Sequence, residues 1–141
     1  MSRKKREELE ARFQDFFKAC PATIFCADDF AKGREINIAE HPADTMIDGS
    51  EDVGVYFILD AEDCVLYVGS ATVAFGTRFW DHYWKVKRSA ENVEYRDWRQ
   101  AKKFVPKALN NGQDERKLRY LLALESYLIA ALDKPDLNEK V

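Results

Sequence analysis

Cysteine is scarce in this chain of 141 residues, with three at positions 20, 26 and 64. An odd, widely spaced set argues against a disulfide framework, and Cys20 with Cys26 is too little for a zinc knuckle. The basic start Arg3-Lys4-Lys5-Arg6 runs into Glu7 and Glu8 rather than an apolar signal core. The thiols therefore read as free, in a reducing cytoplasm. Long apolar runs are missing too, and none approaches the roughly 18–20 residues that a membrane span needs. Net charge is small: 22 Lys and Arg stand against 25 Asp and Glu, leaving −3. That balance argues against a general coater of nucleic acid, which would be basic. There is no internal repeat and no low-complexity tract. What the chain does have is 33% charged and 46% apolar residues, with nine Phe, six Tyr and three Trp. Those proportions fit one soluble globular domain with a real core.

The overall charge hides an asymmetry. Residues 1–27 carry net +2, residues 28–63 carry −9, residues 64–77 carry none, residues 78–119 carry +6 and residues 120–141 carry −2. A basic zone thus follows a strongly acidic one.

Hydrophobic spacing divides the chain into elements. Leu9, Phe13, Phe16, Phe17 and Cys20 recur at helical intervals, so residues 5–20 read as an amphipathic helix stopped by Pro21. Residues 21–52 show no sustained period and read as loop with one short strand around 34–38. Residues 53–59 and 64–68 are β-rich runs around Asp60-Ala61-Glu62-Asp63, a hairpin signal. A four-residue loop pairing Leu59 with Cys64 sets Tyr56 across from Tyr67 and Ile58 across from Val65. On the other face it sets Val55 across from Val68 and Phe57 across from Leu66. Both faces are apolar, so the hairpin should be covered on both sides or lie mid-sheet. A helix is expected from Thr77, as N-cap, to about Lys87. Phe79, Tyr83 and Val86 would face the core, and Arg78, His82 and Lys85 would form a neighbouring polar stripe. Residues 88–101 have no assignable pattern. Residues 103–109 read as a third strand, confined to a sheet edge by Pro106, and Asn110-Asn111-Gly112 as a turn. Residues 114–132 form the clearest helix, with Leu118, Leu121, Leu122, Leu128, Ile129 and Leu132 in one stripe.

Glu125 falls inside that stripe. A carboxylate on a buried face is costly unless it is ion-paired, hydrogen-bonded or bound to a metal.

Gly54-Val55-Tyr56 and, ten residues on, Tyr67-Val68-Gly69 resemble the paired signature of the GIY-YIG nucleases, with valine for isoleucine in both triplets. Arg78 and His82 match that family's Arg-x-x-x-His, Glu125 resembles its metal-binding glutamate, and Pro135-Asp136-Leu137-Asn138 resembles its closing Pro-x-x-Asn. The likeness covers residues 53–138, and its weight lies in five pieces occurring in order. It implies an α+β fold, with a small three-stranded antiparallel sheet flanked by helices. It implies residues 53–141 as the nuclease-like domain and residues 1–52 as an extension outside the minimal domain. It also implies hydrolysis of phosphodiester bonds with one Mg²⁺ or Mn²⁺.

Under that resemblance, Tyr56 is the general base or the group that orients water, and Tyr67 supports it by hydrogen bond. A phenol, with a pKa of about 10, acts as a base only if nearby cations lower that value. Arg78 clamps the phosphate, since a guanidinium matches two oxygens. His82 holds either Tyr56 or the attacking water. Glu125 is the sole protein ligand of the metal ion. Gly54, Gly69 and Asn138 support the site. Lys85, Lys87, Arg88, Lys102 and Lys103, interleaved with Trp84, Tyr95, Trp98 and Phe104, form a track for a nucleic-acid backbone.

Each residue also has a plainer reading. The tyrosines could be a cross-strand packing pair, Glu125 half of a structural ion pair, Asn138 a turn cap, and the basic track a solvated helix over core aromatics. His41, beside Glu40 and Asp44, reads as part of a solvated loop. The expected function is a metal-dependent endonuclease acting on DNA, in the cytoplasm and away from membranes. The alternative is a non-catalytic module on the same fold that binds nucleic acid or protein. The first helix is expected to pack on the domain or on a second copy, which would make a homodimer through the extension.

Overall fold

The computed structural model describes residues 3–20, 25–110 and 114–139. The expected stop at Pro21 and most of the turn at 110–112 lie outside them. Alternating apolar residues build the centre. Strand β3 (Gly54–Leu59) and strand β4 (Val65–Ala71) form an antiparallel hairpin, and every residue of β3 is buried. The register differs from expectation. Tyr56 lies opposite Gly69, Phe57 opposite Val68 and Ile58 opposite Tyr67, two residues along from the expected pairing. Two single steps add up to this: Leu59 pairs with Val65 instead of Cys64, so the loop has five residues, and an irregularity between Ile58 and Leu59 leaves Leu66 as an extra residue in β4. A shift of two preserves the parity of the strands, so Tyr56 and Tyr67 still share a face.

The sheet has five antiparallel strands rather than three, in the order β1 (Phe30–Lys32), β5 (Lys103–Leu109), β3, β4, with β2 (Ile36–Asn37) also on β5. Residues 30–37 therefore belong to the same sheet as residues 54–109. Strand β5 is internal, although Pro106 suggested an edge. Its pairing explains why. Leu109 donates its N–H to Val53 on the β3 side, so the odd positions of β5 donate toward β3 and Pro106 points the other way. On that side the neighbours break: β1 pairs with residues 107–109 and β2 with 103 and 104. The missing N–H of Pro106 falls in the gap, where Gly33 N–H still reaches the Pro106 carbonyl at 3.1 Å.

The two sheet faces carry separate cores. On one, Val55, Phe57, Leu59, Val65 and Val68 meet Leu9 and Phe13 of α1 (Arg6–Lys18) and Leu121, Leu124 and Leu128 of α3 (Glu115–Ala131). On the other, Tyr56, Ile58, Leu66 and Phe104 meet Phe79 and Tyr83 of α2 (Phe75–Arg88), Trp98 of a 3₁₀ helix (Val93–Gln100), and Leu137. Full burial of each such side chain contributes roughly 1.5–3 kcal/mol. Helix α1 thus spends its apolar face inside its own chain.

Helix ends follow local chemistry. The Asp114 carboxylate accepts the Arg116 N–H at 3.0 Å and caps α3. Thr77 does not cap α2. The helix begins two residues earlier, and its Phe75 and Gly76 amides donate to the carbonyls of Asp52 and Ser50, each at 2.8 Å. The outer edge of β4 is also closed. Val65 N–H donates to the Lys4 carbonyl at 2.8 Å, and the Asn138 side chain bonds both the N–H and the carbonyl of Val68.

Candidate active site

Tyr56 rises from the middle of β3 onto the α2 face and is almost wholly buried, at 1% exposure. Its ring lies between Phe104 (centroids 4.8 Å, planes 19° apart) and Tyr67 (6.0 Å, 23°). Gly69 makes room for it: a Cβ there would sit 2.5 Å from both Cζ and Oη of Tyr56. Gly54 serves the sheet instead. At φ +154° it lets β3 approach β5 so closely that a Cβ would lie 2.1 Å from the Lys107 carbonyl oxygen. The two glycines of the paired signature thus do different work, one for strand packing and one for the phenol.

His82 is expected on a polar stripe but is buried, at 4% exposure, because α2 turns it onto the tyrosines. Its Nε2 lies 2.8 Å from the Tyr56 hydroxyl. Its ring stacks on Trp98 (4.9 Å, 20°) and leans on Tyr67 (4.8 Å). The Nδ1 atom is buried without a hydrogen-bond partner among the described residues. Burial, aided by the charges of Lys85 and Arg78, pushes the imidazole down to a pKa of about 3, so it is neutral at working pH.

Burial raises the Tyr56 phenol far above its ordinary value, and Tyr67 adds to the rise. The Tyr67 phenol is raised as well, again mainly by burial. Arg78 opposes the rise at both tyrosines and Glu125 reinforces it at both, so both charges act at this one spot. Arg78 is exposed on α2, whereas Glu125 is half-buried on α3, which belongs to the opposite face but packs along β4. Neither makes an ion pair or hydrogen bond with a described residue, although a buried ion pair was one expectation for Glu125. The Asn138 side chain holds the backbone of Val68, the residue after Tyr67, by bonds of 2.8 and 2.9 Å and so anchors the strand.

The structure therefore brings together Tyr56, Tyr67, Arg78, His82 and Glu125, with Gly69 and Asn138 as supports. The basic track is divided. Lys103 pairs with Asp63 at the hairpin turn, and Lys87 donates to the Ala39 carbonyl at 2.9 Å. Lys102 is half-buried. Lys85 lies over Trp98, and Arg88 over Trp84, without an ion pair among the described residues. Trp98 and Phe104 are core residues and do not offer rings to a ligand, because they clamp His82 and Tyr56 from behind. That clamping role is invisible in the sequence, where both are merely aromatics in a basic stretch. Asp81 was not anticipated either, yet its carboxylate also raises Tyr67. His41 bonds the Thr45 carbonyl through Nε2 at 2.6 Å and packs on Phe79 and Trp80, a structural role.

Among the described residues no group of three or more His, Cys, Asp or Glu could hold a metal ion. Glu125 by itself fits an ion held by one carboxylate, with water and substrate oxygens completing its shell, since its carboxylate is unpaired and only half-buried. No helix among the described residues is long and apolar enough to cross a membrane. Comparison with protein-family models, curated proteins and solved structures finds no match.

Proposed function

We propose that this protein is an endonuclease of the GIY-YIG type that hydrolyses phosphodiester bonds in DNA at one active site. The observation that carries this reading is a hydrogen-bonded Tyr56–His82 pair whose buried phenol feels the charges of both Arg78 and Glu125, neither of them ion-paired with a described residue. In-line attack on a phosphodiester needs charge neutralisation and an oriented water. Arg78, exposed and uncommitted, binds the phosphate oxygens. Tyr56 orients the attacking water through its hydroxyl; with its phenol raised, it is not a phenolate in the resting site. Neutral His82 keeps that hydroxyl in place, and Tyr67 flanks it. Glu125 would hold one Mg²⁺ or Mn²⁺, which when bound supplies further positive charge at the phosphate.

A second reading, a binding module without catalysis, draws on the near-complete burial of Tyr56. The test is incubation with supercoiled plasmid and Mg²⁺ or Mn²⁺ at mildly alkaline pH. Nicking is expected, with losses of about 10²–10³-fold in Glu125→Ala and Tyr56→Phe proteins that keep their melting behaviour. Activity surviving both changes overturns the mechanism. DNA binding that ignores both metal and Glu125, with no nicking, selects the module.

A further inference from the structure

Beside the site, Asp81, Trp84, Lys85, Arg88 and Tyr95 line an open pocket of about 300 Å³ between α2 and the 3₁₀ helix Val93–Gln100. It sets an exposed indole beside two basic side chains and one carboxylate. Trp84 is 45% exposed, one of few large apolar side chains to face solvent. Lys85 and Arg88 have no ion-pair partner among the described residues, whereas Lys103, Lys107 and Lys117 are all tied to carboxylates. The pocket also adjoins the tyrosine site: Asp81 raises the Tyr67 phenol and Lys85 lowers the His82 imidazole. Arg78, Asp81, Lys85 and Arg88 follow one another at intervals of three, four and three residues, so they share one face of α2. That face spans about 15 Å.

We propose that this pocket is a subsite for one unpaired nucleotide flanking the scissile phosphate; its place in the reaction rests on the nuclease reading above. The base takes the place of the Arg88 guanidinium, which lies 5.9 Å from the Trp84 ring centroid, and stacks there with Tyr95 beside it, while Lys85 and the displaced Arg88 hold the adjoining phosphate. Asp81 decides between a base and a second phosphate. A carboxylate repels a phosphodiester but accepts a hydrogen bond from an exocyclic amino group. An intact duplex keeps its bases stacked and has no use for an exposed indole. The geometry therefore points to a substrate with a single-stranded segment, such as a flap, loop or branch.

The experiment measures anisotropy of a labelled single-stranded oligonucleotide and of its blunt duplex, with full-length protein at low salt in EDTA. Chelation removes cleavage and metal from the measurement. Single strand is expected to bind at least tenfold tighter than duplex. Trp84→Ala is expected to weaken single-strand binding about tenfold and Trp84→Phe to recover most of it, because stacking needs a ring and not this ring. Glu125→Ala should lower nicking about 10²–10³-fold, while single-strand binding by that protein should still depend on Trp84. Undetectable single-strand binding, equal affinity for duplex, or a Trp84→Ala protein as tight as wild type overturns the subsite. Trp84-dependent binding without nicking in Mg²⁺ or Mn²⁺ keeps the subsite and removes the nuclease. Nicking with no effect of Trp84 does the reverse.

Discussion

Strand β3 shows two opposite chemistries within six residues. Val55, Phe57 and Leu59 point into a core closed by α1 and α3, where a strand lysine, Lys107, lies over the Phe13 ring and pairs with Glu10 at 3.1 Å. Tyr56, one step away, points into a core of similar burial that also holds an imidazole and the phenols of Tyr67 and Tyr83. Packing, with the Lys107–Glu10 pair, fixes the first face. The second must satisfy hydrogen bonds deeper in its core, and it does so incompletely, since His82 Nδ1 has no partner among the described residues. The difference teaches where function sits: on the face that buries an imidazole against phenols, supported by one whose strand lysine is neutralised by an ion pair.

The sharpest way to break this division is Phe57→Ala. Phe57 is fully buried, so its removal is expected to lower stability by about 3–5 kcal/mol, read by urea denaturation. Nicking per folded molecule should be unchanged at low temperature. A variant that stays stable but cuts slowly would show that the two faces do not divide stability from chemistry.

The same comparison explains what was readable in advance. Side-chain parity in β3 and β4 follows from a period of two, so the sharing of a face by Tyr56 and Tyr67 survived a two-residue error in register. One residue of it comes from a loop of five instead of four, and one from Leu66, an apolar residue like its neighbours that carries no mark of being the extra one. Helix α3 was plain because its leucine stripe and the Asp114 cap are local signals. Strand β2 falls inside the short strand expected around 34–38, whereas the three residues of β1 are too few to show a period. Pro106 misled because its tolerance depends on a gap between those same two strands. At the site, residue types and order were visible, but the burial of His82 and the clamps Trp98 and Phe104 were not, because they arise from tertiary packing.

A smaller effect tests the polar face alone. Gly69→Ala puts a methyl group 2.5 Å from the Tyr56 ring, which Phe104 and Tyr67 box in from the sides. The ring must shift, at a cost of about 1–3 kcal/mol in stability. Because the 2.8 Å bond to His82 shifts with it, nicking is expected to fall at least tenfold, more than a stability loss alone explains once measured well below the melting temperature. Unchanged nicking would remove the Tyr56–His82 pair from the mechanism.

The smallest effect per step is a pH slope, and it reads the electrostatic side of the comparison. His82 has an ordinary pKa of 6.5 unfolded and about 3 in the folded protein. Above pH 6.5 it is neutral in both states and its contribution is complete. As pH falls below 6.5 the unfolded chain takes up a proton that the native site refuses, so stability declines toward pH 3. The slope is at most about 1.4 kcal/mol per pH unit. Glu35, Asp29 and Asp63, held low by Arg6, by the Cys26 amide with Lys117, and by Lys103, lose stability in the same direction. They begin only near their own unfolded values of 4.5 and 3.8. The interval from pH 6.5 to 5 therefore isolates the imidazole from these carboxylates. Denaturation in urea at pH 6.5, 5.8 and 5.0 should show the decline in wild type and a flatter line in His82→Gln, which keeps a side chain able to bond the Tyr56 hydroxyl. Equal slopes would mean that His82 takes up its proton in the folded state. The neutral pair on this face of β3 would then give way to an imidazolium beside two phenols.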